Sequence, residues 1–379
     1  MKKICFVVTS PLIIHFFFRN HFKVLSEEFE VYLVGNFSEE DVFSFSEYSI
    51  ANICSISIYR KINLIHDLLA IVKLYKYFVK MDFDTIHSIS PKAGLLSSIA
   101  GRLAGIKIRI HIFTGQIWAS KKGIYRVFLK MFDKLIVINS THILVDGRSQ
   151  REFLINERVI SNNSLILGNG SISGVDIRRF KSDSRLRKEL RKELHIAEDT
   201  VLVLFLGRIK MDKGILDLVN AFKRLMEEKS DVFLLIVGYD EENMVSNISL
   251  LLKGHDRFFY YGPTSKPESI LPAADIFCLP SYREGFGTSI LEASCCKLPV
   301  ICSDIYGLSD SVIDGTTGLK YEVRNATSLY KQLLKLVLNA ELRKSLGENG
   351  HDYVVNNFSS DIISIEWLKF YRSLFFSKI

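Results

Sequence analysis

Two cations, two carboxylates and a group of glycines, held in two short stretches of the second half of the chain, carry the clearest chemistry. The first stretch is Gly207-Arg-Ile-Lys-Met-Asp-Lys213-Gly214, directly after the apolar run Val201–Leu206. Glycine lets the backbone turn out of a sheet, and Arg208 and Lys213 then place two cations near the strand end. A diphosphate needs that combination of charge and donors. The second stretch is Ser281-Tyr-Arg-Glu284-Gly285-Phe286-Gly287-Thr288-Ser289-Ile290-Leu-Glu292. Here glycines border a helical pattern from Thr288 to Cys296, and a helix start offers free backbone N–H groups to an anion. Glu284 and Glu292 cannot neutralise phosphate. Their natural partners are hydroxyls, a hexose for Glu284 and a ribose diol for Glu292. One basic loop or one surface acid would be unremarkable by itself; the two stretches together point to a sugar nucleotide.

Other chemistries are disfavoured. No GxGxxG follows the first apolar run and no GxxxxGK[ST] occurs, which argues against a redox dinucleotide and a P-loop. Asp82-Phe-Asp84 reads as a polar connection between a helix and a strand, not a metal site. The six cysteines form no CxxC pair. They read as buried, reduced thiols, which implies the cytosol.

The elements that must hold these residues alternate. Strand patterns fall at Ile4–Thr9, Glu30–Gly35, Ile53–Ile58, Thr85–Ser90, Arg109–Phe113, Lys134–Asn139 and Ser164–Leu167. They recur at Val201–Leu206, Val232–Val237, Phe258–Tyr261, Asp275–Pro280 and Pro299–Cys302. Helical patterns intervene, among them Asn63–Lys80, Lys92–Ala104 and Thr141–Leu154. This alternation predicts parallel sheets covered by helices on both faces. In 379 residues, 48% of them apolar, it predicts two Rossmann-like domains, 1–170 and 171–356, with a last helical segment, 357–379, crossing back onto the first. No run reaches the roughly 18 apolar residues of a membrane span. Lys2 and Lys3 before an apolar run resemble a signal peptide, but Pro11, His15 and the lack of a cleavage site favour a buried first strand.

These motifs resemble the retaining glycosyltransferases of family four, which have the GT-B fold of two doubly wound domains facing a cleft. The resemblance rests on Gly207-Arg208…Lys213-Gly214, Glu284-Gly-Phe-Gly…Glu292, Asp314-Gly-Thr-Thr-Gly318 and Asn169-Gly-Ser-Ile-Ser-Gly-Val-Asp176. His87-Ser-Ile-Ser-Pro-Lys-Ala-Gly94 is similar to the subgroup building bacterial O-antigens, capsules and lipid-linked glycans. The resemblance implies that Arg208 and Lys213 hold the donor pyrophosphate and that Glu284 touches the transferred sugar. It further implies that amides around Gly287–Ile290 hold phosphate, that Glu292 holds the ribose, and that no metal or other cofactor is required. Gly207, Gly285 and Phe286 complete that donor set. In one departure, Thr114 of His111-Ile-Phe-Thr114-Gly115-Gln116 stands where related enzymes often have a histidine facing the donor. Thr114 and Gly115 are therefore further donor candidates, with His111 and Gln116 as alternative polar contacts.

Residues 1–170 hold 21 Lys and Arg against 14 Asp and Glu, and the remainder 28 against 28. The excess gathers between Arg60 and Lys134, where Arg60–Lys80 and Lys121–Lys130 mix cations with Leu, Ile, Tyr and Phe. A basic half suggests an anionic partner. With the subgroup resemblance it suggests a lipid-pyrophosphate-linked acceptor and an anionic membrane surface at the cytoplasmic face. His15, Arg19, Lys92, His111 and Gln116 are the acceptor candidates. The expected reaction moves a sugar, such as an N-acetylhexosamine, from a UDP-sugar (or a GDP-sugar) during surface polysaccharide synthesis. A GT-B-type epimerase would need a set of acid and base groups that is not evident. A nucleic-acid or other polyanion binder would need exposed stacking aromatics, whereas these aromatics follow core spacing.

Overall fold

The computed structural model describes residues 1–59, 62–254 and 256–376. It divides into two compact units, Met1–Gly174 with Ser360–Ile379, and Val175–Ser359. Arg60 and Lys61 of the basic segment, and 377–379 of the last segment, lie outside the described residues.

In the first unit the strands are β1 (Lys2–Val7), β2 (Phe29–Gly35), β3 (Asn52–Ser55), β4 (Thr85–Ile89), β5 (Ile108–Phe113) and β6 (His142–Val145). Its helices are α1 (Pro11–Ile13), α2 (Arg19–Leu25), α3 (Glu39–Ser44), α4 (Leu64–Met81), α5 (Pro91–Leu103), α6 (Gly123–Asn139) and α7 (Arg148–Asn156). The second unit holds β7 (Val201–Leu206), β8 (Val232–Val237), β9 (Phe258–Gly262), β10 (Ile276–Leu279), β11 (Val300–Ser303) and β12 (Gly318–Tyr321). Its helices are α8 (Ser184–Glu193), α9 (Ile215–Glu228), α10 (Val245–Leu251), α11 (Pro267–Ile270), α12 (Thr288–Cys295), α13 (Ala326–Leu338) and α14 (Ala340–Phe358). The next helix, α15 (Ser360–Phe376), belongs to the first unit.

Both sheets are six-stranded and parallel, in the orders β3-β2-β1-β4-β5-β6 and β12-β11-β10-β7-β8-β9. Each is the doubly wound order, read from opposite ends. Helices cover both faces because the central strands are apolar on both sides. In β7, Val201, Val203 and Phe205 enter one core layer, and Leu202 and Leu204 the other. Strand order reverses beside β1 in the first sheet and beside β7 in the second. Ligands of such sheets sit beyond the carboxyl ends of the strands at those reversals.

Three expectations fail around the end of the first sheet. Lys134–Asn139 is the last part of α6, because the β-branched run Ile136-Val-Ile138 continues a helix begun at Gly123. Thr141–Leu154 is not one helix: β6 pairs with β5, and α7 starts only after Gly147. Ser164–Leu167 makes no strand, and Leu165 only bridges Leu144. Strand β12 had no counterpart in the sequence reading.

Helix α15 fills a gap over β1. Trp367 and Tyr371 are fully buried with Phe6, Phe18 and Phe22. Buried polar contacts hold it: His21 Nδ1 pairs with Ser364 Oγ (2.7 Å), His87 Nδ1 pairs with Tyr371 Oη (2.7 Å), and Trp367 Nε1 donates to Ile172 O (3.1 Å), which His21 Nε2 also meets (2.8 Å).

Candidate active site

The reversal in the second sheet lies between β7 and β10, and the residues singled out from the sequence follow those two strands. Gly214 has φ +65°, and a Cβ there would lie 1.9 Å from Pro280 O. Only glycine therefore lets the basic loop lie against the segment after β10. Tyr282 N donates to Asp212 O (2.8 Å), tying the two loops together.

Every cation of the site rests on an acid. Lys213 Nζ meets Glu284 Oε1 at 2.5 Å, and Ser281 Oγ donates to the same oxygen at 2.7 Å. Lys213 and Glu284, given separate partners in the sequence analysis, are thus brought together. Arg208, exposed, donates through Nη1 to Glu241 Oε2 at 3.0 Å, with Lys210 Nζ 3.6 Å from the same oxygen. Arg283 Nη2 donates to Asp212 Oδ2 at 2.9 Å. Burial works to raise the Asp212 carboxyl, but Arg283, Lys210 and Lys213 outweigh it and hold it below its ordinary value. Met211 N donates to Glu242 Oε2 (2.9 Å). Arg283, Asp212, Glu241 and Glu242 escaped the sequence reading. Asp240-Glu241-Glu242 comes soon after β8, much as Arg208 comes soon after β7, and that placement was the available signal.

Helix α12 begins as the sequence indicated, after Gly287 at φ +76°. The amide of Ile290 already donates to Gly287 O (2.8 Å). Thr288 and Ser289 are left as the first-turn amides without an acceptor inside the helix. The side chains of Phe286 and Ile290 lie in the core, Phe286 against Phe358, so that the amide of Ile290 is engaged within the turn and Phe286 offers a site only its backbone. Gly207 stands at the turn, with its amide donating to Val237 O (3.0 Å). Gly285 is half-buried beside Glu284. Glu292 lies in α12, and burial pushes its carboxyl up to about 8, with Arg179 opposing and Glu268 adding to the rise.

The candidates of the first unit fare differently. His111 is fully buried and pairs through Nδ1 with Ser88 Oγ (2.9 Å). Burial drives its imidazole down to about 3, so it is a neutral core residue rather than an acceptor contact. Gln116 is also buried, and its Nε2 donates to Thr114 O (2.5 Å), which accepts from Gln150 Nε2 as well (2.6 Å). It shapes the loop instead of presenting itself to an acceptor. Thr114 and Gly115 follow β5 and are half-buried. His15 uses both ring nitrogens, Nδ1 on Tyr48 Oη (2.8 Å) and Nε2 on Ser44 Oγ (3.3 Å). Lys92 pairs with Asp67, and Arg19 lies exposed 3.9 Å from Glu47. One residue was missed at this sheet's reversal. Ser90 adopts φ +78°, ψ +147°, where a side chain is strained, with its Oγ 3.1 Å from Thr9 Oγ1. Strain of this kind collects at ligand sites.

The chain is similar to known glycosyltransferases. The model for glycosyl transferases group 1 matches residues 187–353. A capsular polysaccharide biosynthesis glycosyltransferase, CapM of Staphylococcus aureus, is 30% identical over 318 residues, 83% of each chain. An Escherichia coli UDP-Gal:α-D-GlcNAc-diphosphoundecaprenol α-1,3-galactosyltransferase is 27% identical over 79% of this chain and 78% of its own. Among solved structures, Anabaena HepE in complex with UDP and glucose superposes with a TM-score of 0.82, at 16% identity, covering 98% of this chain and all of that one. The chain belongs to the group 1 glycosyltransferase family and has the two-sheet GT-B fold of its enzymes.

Proposed function

We propose that this enzyme transfers a sugar from a UDP-sugar, with retention, to a lipid-pyrophosphate-linked saccharide during surface polysaccharide synthesis. The observation that carries the reading is the cationic loop Arg208–Lys213 set beside the start of α12 at the reversal of the second sheet. Arg208, Lys213 and the amides of Thr288 and Ser289 would hold the diphosphate. Glu292 would take the ribose and Glu284 the transferred sugar. UDP and the lipid diphosphate come from the names of the relatives and the structural neighbour, which also favour UDP over GDP.

In the reaction the acceptor hydroxyl oxygen bonds to the anomeric carbon as the bond from that carbon to the diphosphate breaks. The departing phosphate oxygen takes the hydroxyl proton from the same face. The protein's part is electrostatic: Arg208 and Lys213 stabilise charge that grows on the leaving group. No metal ion is called for, so activity should survive chelation by EDTA. Replacing Arg208 or Lys213 by Ala should lower kcat about a hundredfold or more without changing the thermal midpoint. Near-normal turnover in both variants would sink the assignment. Thermal-shift titration with UDP and GDP decides the base, and NMR of the product's anomeric proton decides the stereochemistry.

A further inference from the structure

Lys213 can meet a diphosphate only if the turn that carries it is held still, and Gly214, next in the chain, gives that turn no stiffness of its own. Tyr282, from the segment after β10, grips the turn on both sides. Its amide donates to Asp212 O (2.8 Å), just before Lys213. Its hydroxyl donates to the carboxylate of Asp217, in the first turn of α9, just after Lys213. Between these two anchors its ring lies against Gly214, where an added Cβ would come within 3.1 Å of Tyr282 Cε1. The ring also meets Arg324, from the turn between β12 and α13, whose guanidinium stands 4.6 Å from the ring centroid. Arg324 is exposed and takes φ +65°, a left-handed conformation that is strained for a residue with a side chain.

We infer that Tyr282 is a positioning residue of the donor site, which fixes Lys213 by clasping the chain before and after it. Packing alone does not call for this arrangement. Asp217 Oδ2 is buried and meets no donor among the described residues. Burial raises the Asp217 carboxyl, against the hydroxyl of Tyr282 and the charge of Arg324. An apolar pair of the same shape would serve a core as well or better. A hydroxyl bonded to a carboxylate fixes a direction instead, and here it ties the segment after β10 to the helix after Lys213. Burial first, and then the Asp217 charge, push the hydroxyl up to about 12, so it remains a donor throughout the neutral range. The inference deepens the donor reading and rests on it, since it needs Lys213 to hold the diphosphate. Tyr282 acts through Lys213, not on the donor itself.

The test is isothermal titration of the full chain with UDP and with uridine monophosphate, which lacks the terminal phosphate that Lys213 would hold. Tyr282→Phe, Arg324→Gln, Lys213→Ala and Tyr282→Phe/Lys213→Ala are compared, with the thermal midpoint of each recorded. Tyr282→Phe is expected to weaken UDP binding about tenfold, to leave the monophosphate little changed, and to cost nothing further beside Lys213→Ala. Arg324→Gln should weaken UDP binding about two- to fivefold in the same selective way. A general loosening of the fold would weaken both nucleotides alike and would add to the loss from Lys213→Ala. UDP binding unchanged in Tyr282→Phe, an equal loss for the two nucleotides, or a loss that persists beside Lys213→Ala therefore overturns the inference. Should Tyr282→Phe not fold, the exposed Arg324→Gln decides by the same comparison: a selective loss supports the clasp and no loss overturns it. Lys213→Ala binding UDP like the intact chain sinks the donor reading itself. A weakened Lys213→Ala beside an unaffected Tyr282→Phe sinks the positioning role alone.

Discussion

At the scale of single residues, the site holds its cations in check. Arg208 rests on Glu241, and if Arg208 holds the donor diphosphate as proposed, that carboxylate competes for the guanidinium. An exposed pair of this kind is worth about 1 kcal/mol at most. Glu241→Gln should therefore lower the KM for donor by about two- to fivefold with kcat little changed, a split that initial-rate kinetics reads directly. Glu292 supplies a pH test. Its carboxyl is raised to about 8 by burial, whereas the ribose diol proposed for it would be held best by the ionised form. Donor affinity should then rise as pH climbs through 8, and Glu292→Gln should flatten that rise. Isothermal titration at several pH values measures both. Arg208, Lys213 and Glu284 were legible because each adjoins a glycine in a loop after a buried strand, and Glu292 because it lies in the helix that Gly287 opens. Their acidic partners were not, since Glu241 lies 33 residues from Arg208 and only the pairing of β7 with β8 brings them together. The packing role of the Phe286 and Ile290 side chains was hidden for the opposite reason: they sit inside the motif, whose glycines and acids draw attention first.

At the scale of elements, the sequence indicates where the working loops begin. Strands β7 and β8 were legible to the residue, because a fully buried run has clear ends. The errors gathered where apolarity is shared by two geometries. The run Ile136-Val-Ile138 suits a strand by composition but completes a helix in space. Helix α12 depends on Gly287, whose φ of +76° disfavours any side chain and whose added Cβ would lie 2.5 Å from Leu308 Cδ2. Gly287→Ala should cost about 1–3 kcal/mol, read as a lower urea midpoint. It should also weaken UDP binding, by shifting the amides of Thr288 and Ser289. An unchanged midpoint with full binding would show that α12 tolerates another start.

At the scale of the whole molecule, acid should strike the first unit. His21 and His111 are buried neutral, their imidazoles lowered to about 4 and about 3, and His87 is lowered as well. Each binds its proton more readily in the unfolded chain. Their contribution is complete above the unfolded value of about 6.5 and is lost as pH falls towards the folded values. His21 by itself accounts for on the order of 3 kcal/mol of that loss. Thermal midpoints measured from pH 7 down to pH 4 should fall steeply, and His21→Gln should shallow the slope. Hydrogen exchange should show β1, α2 and α15 opening ahead of the second sheet. Equal opening in both units would contradict this.

Helix α15 also sets an order of events during synthesis. The second unit is one continuous stretch and is complete once Ser359 has left the ribosome. The first unit is made of two stretches, and it must wait with the aromatic surface around Phe6, Phe18 and Phe22 uncovered until Trp367 and Tyr371 arrive. The half of the protein translated first is therefore the last to finish folding. Through that interval its open face is the natural place for a chaperone to hold the nascent chain.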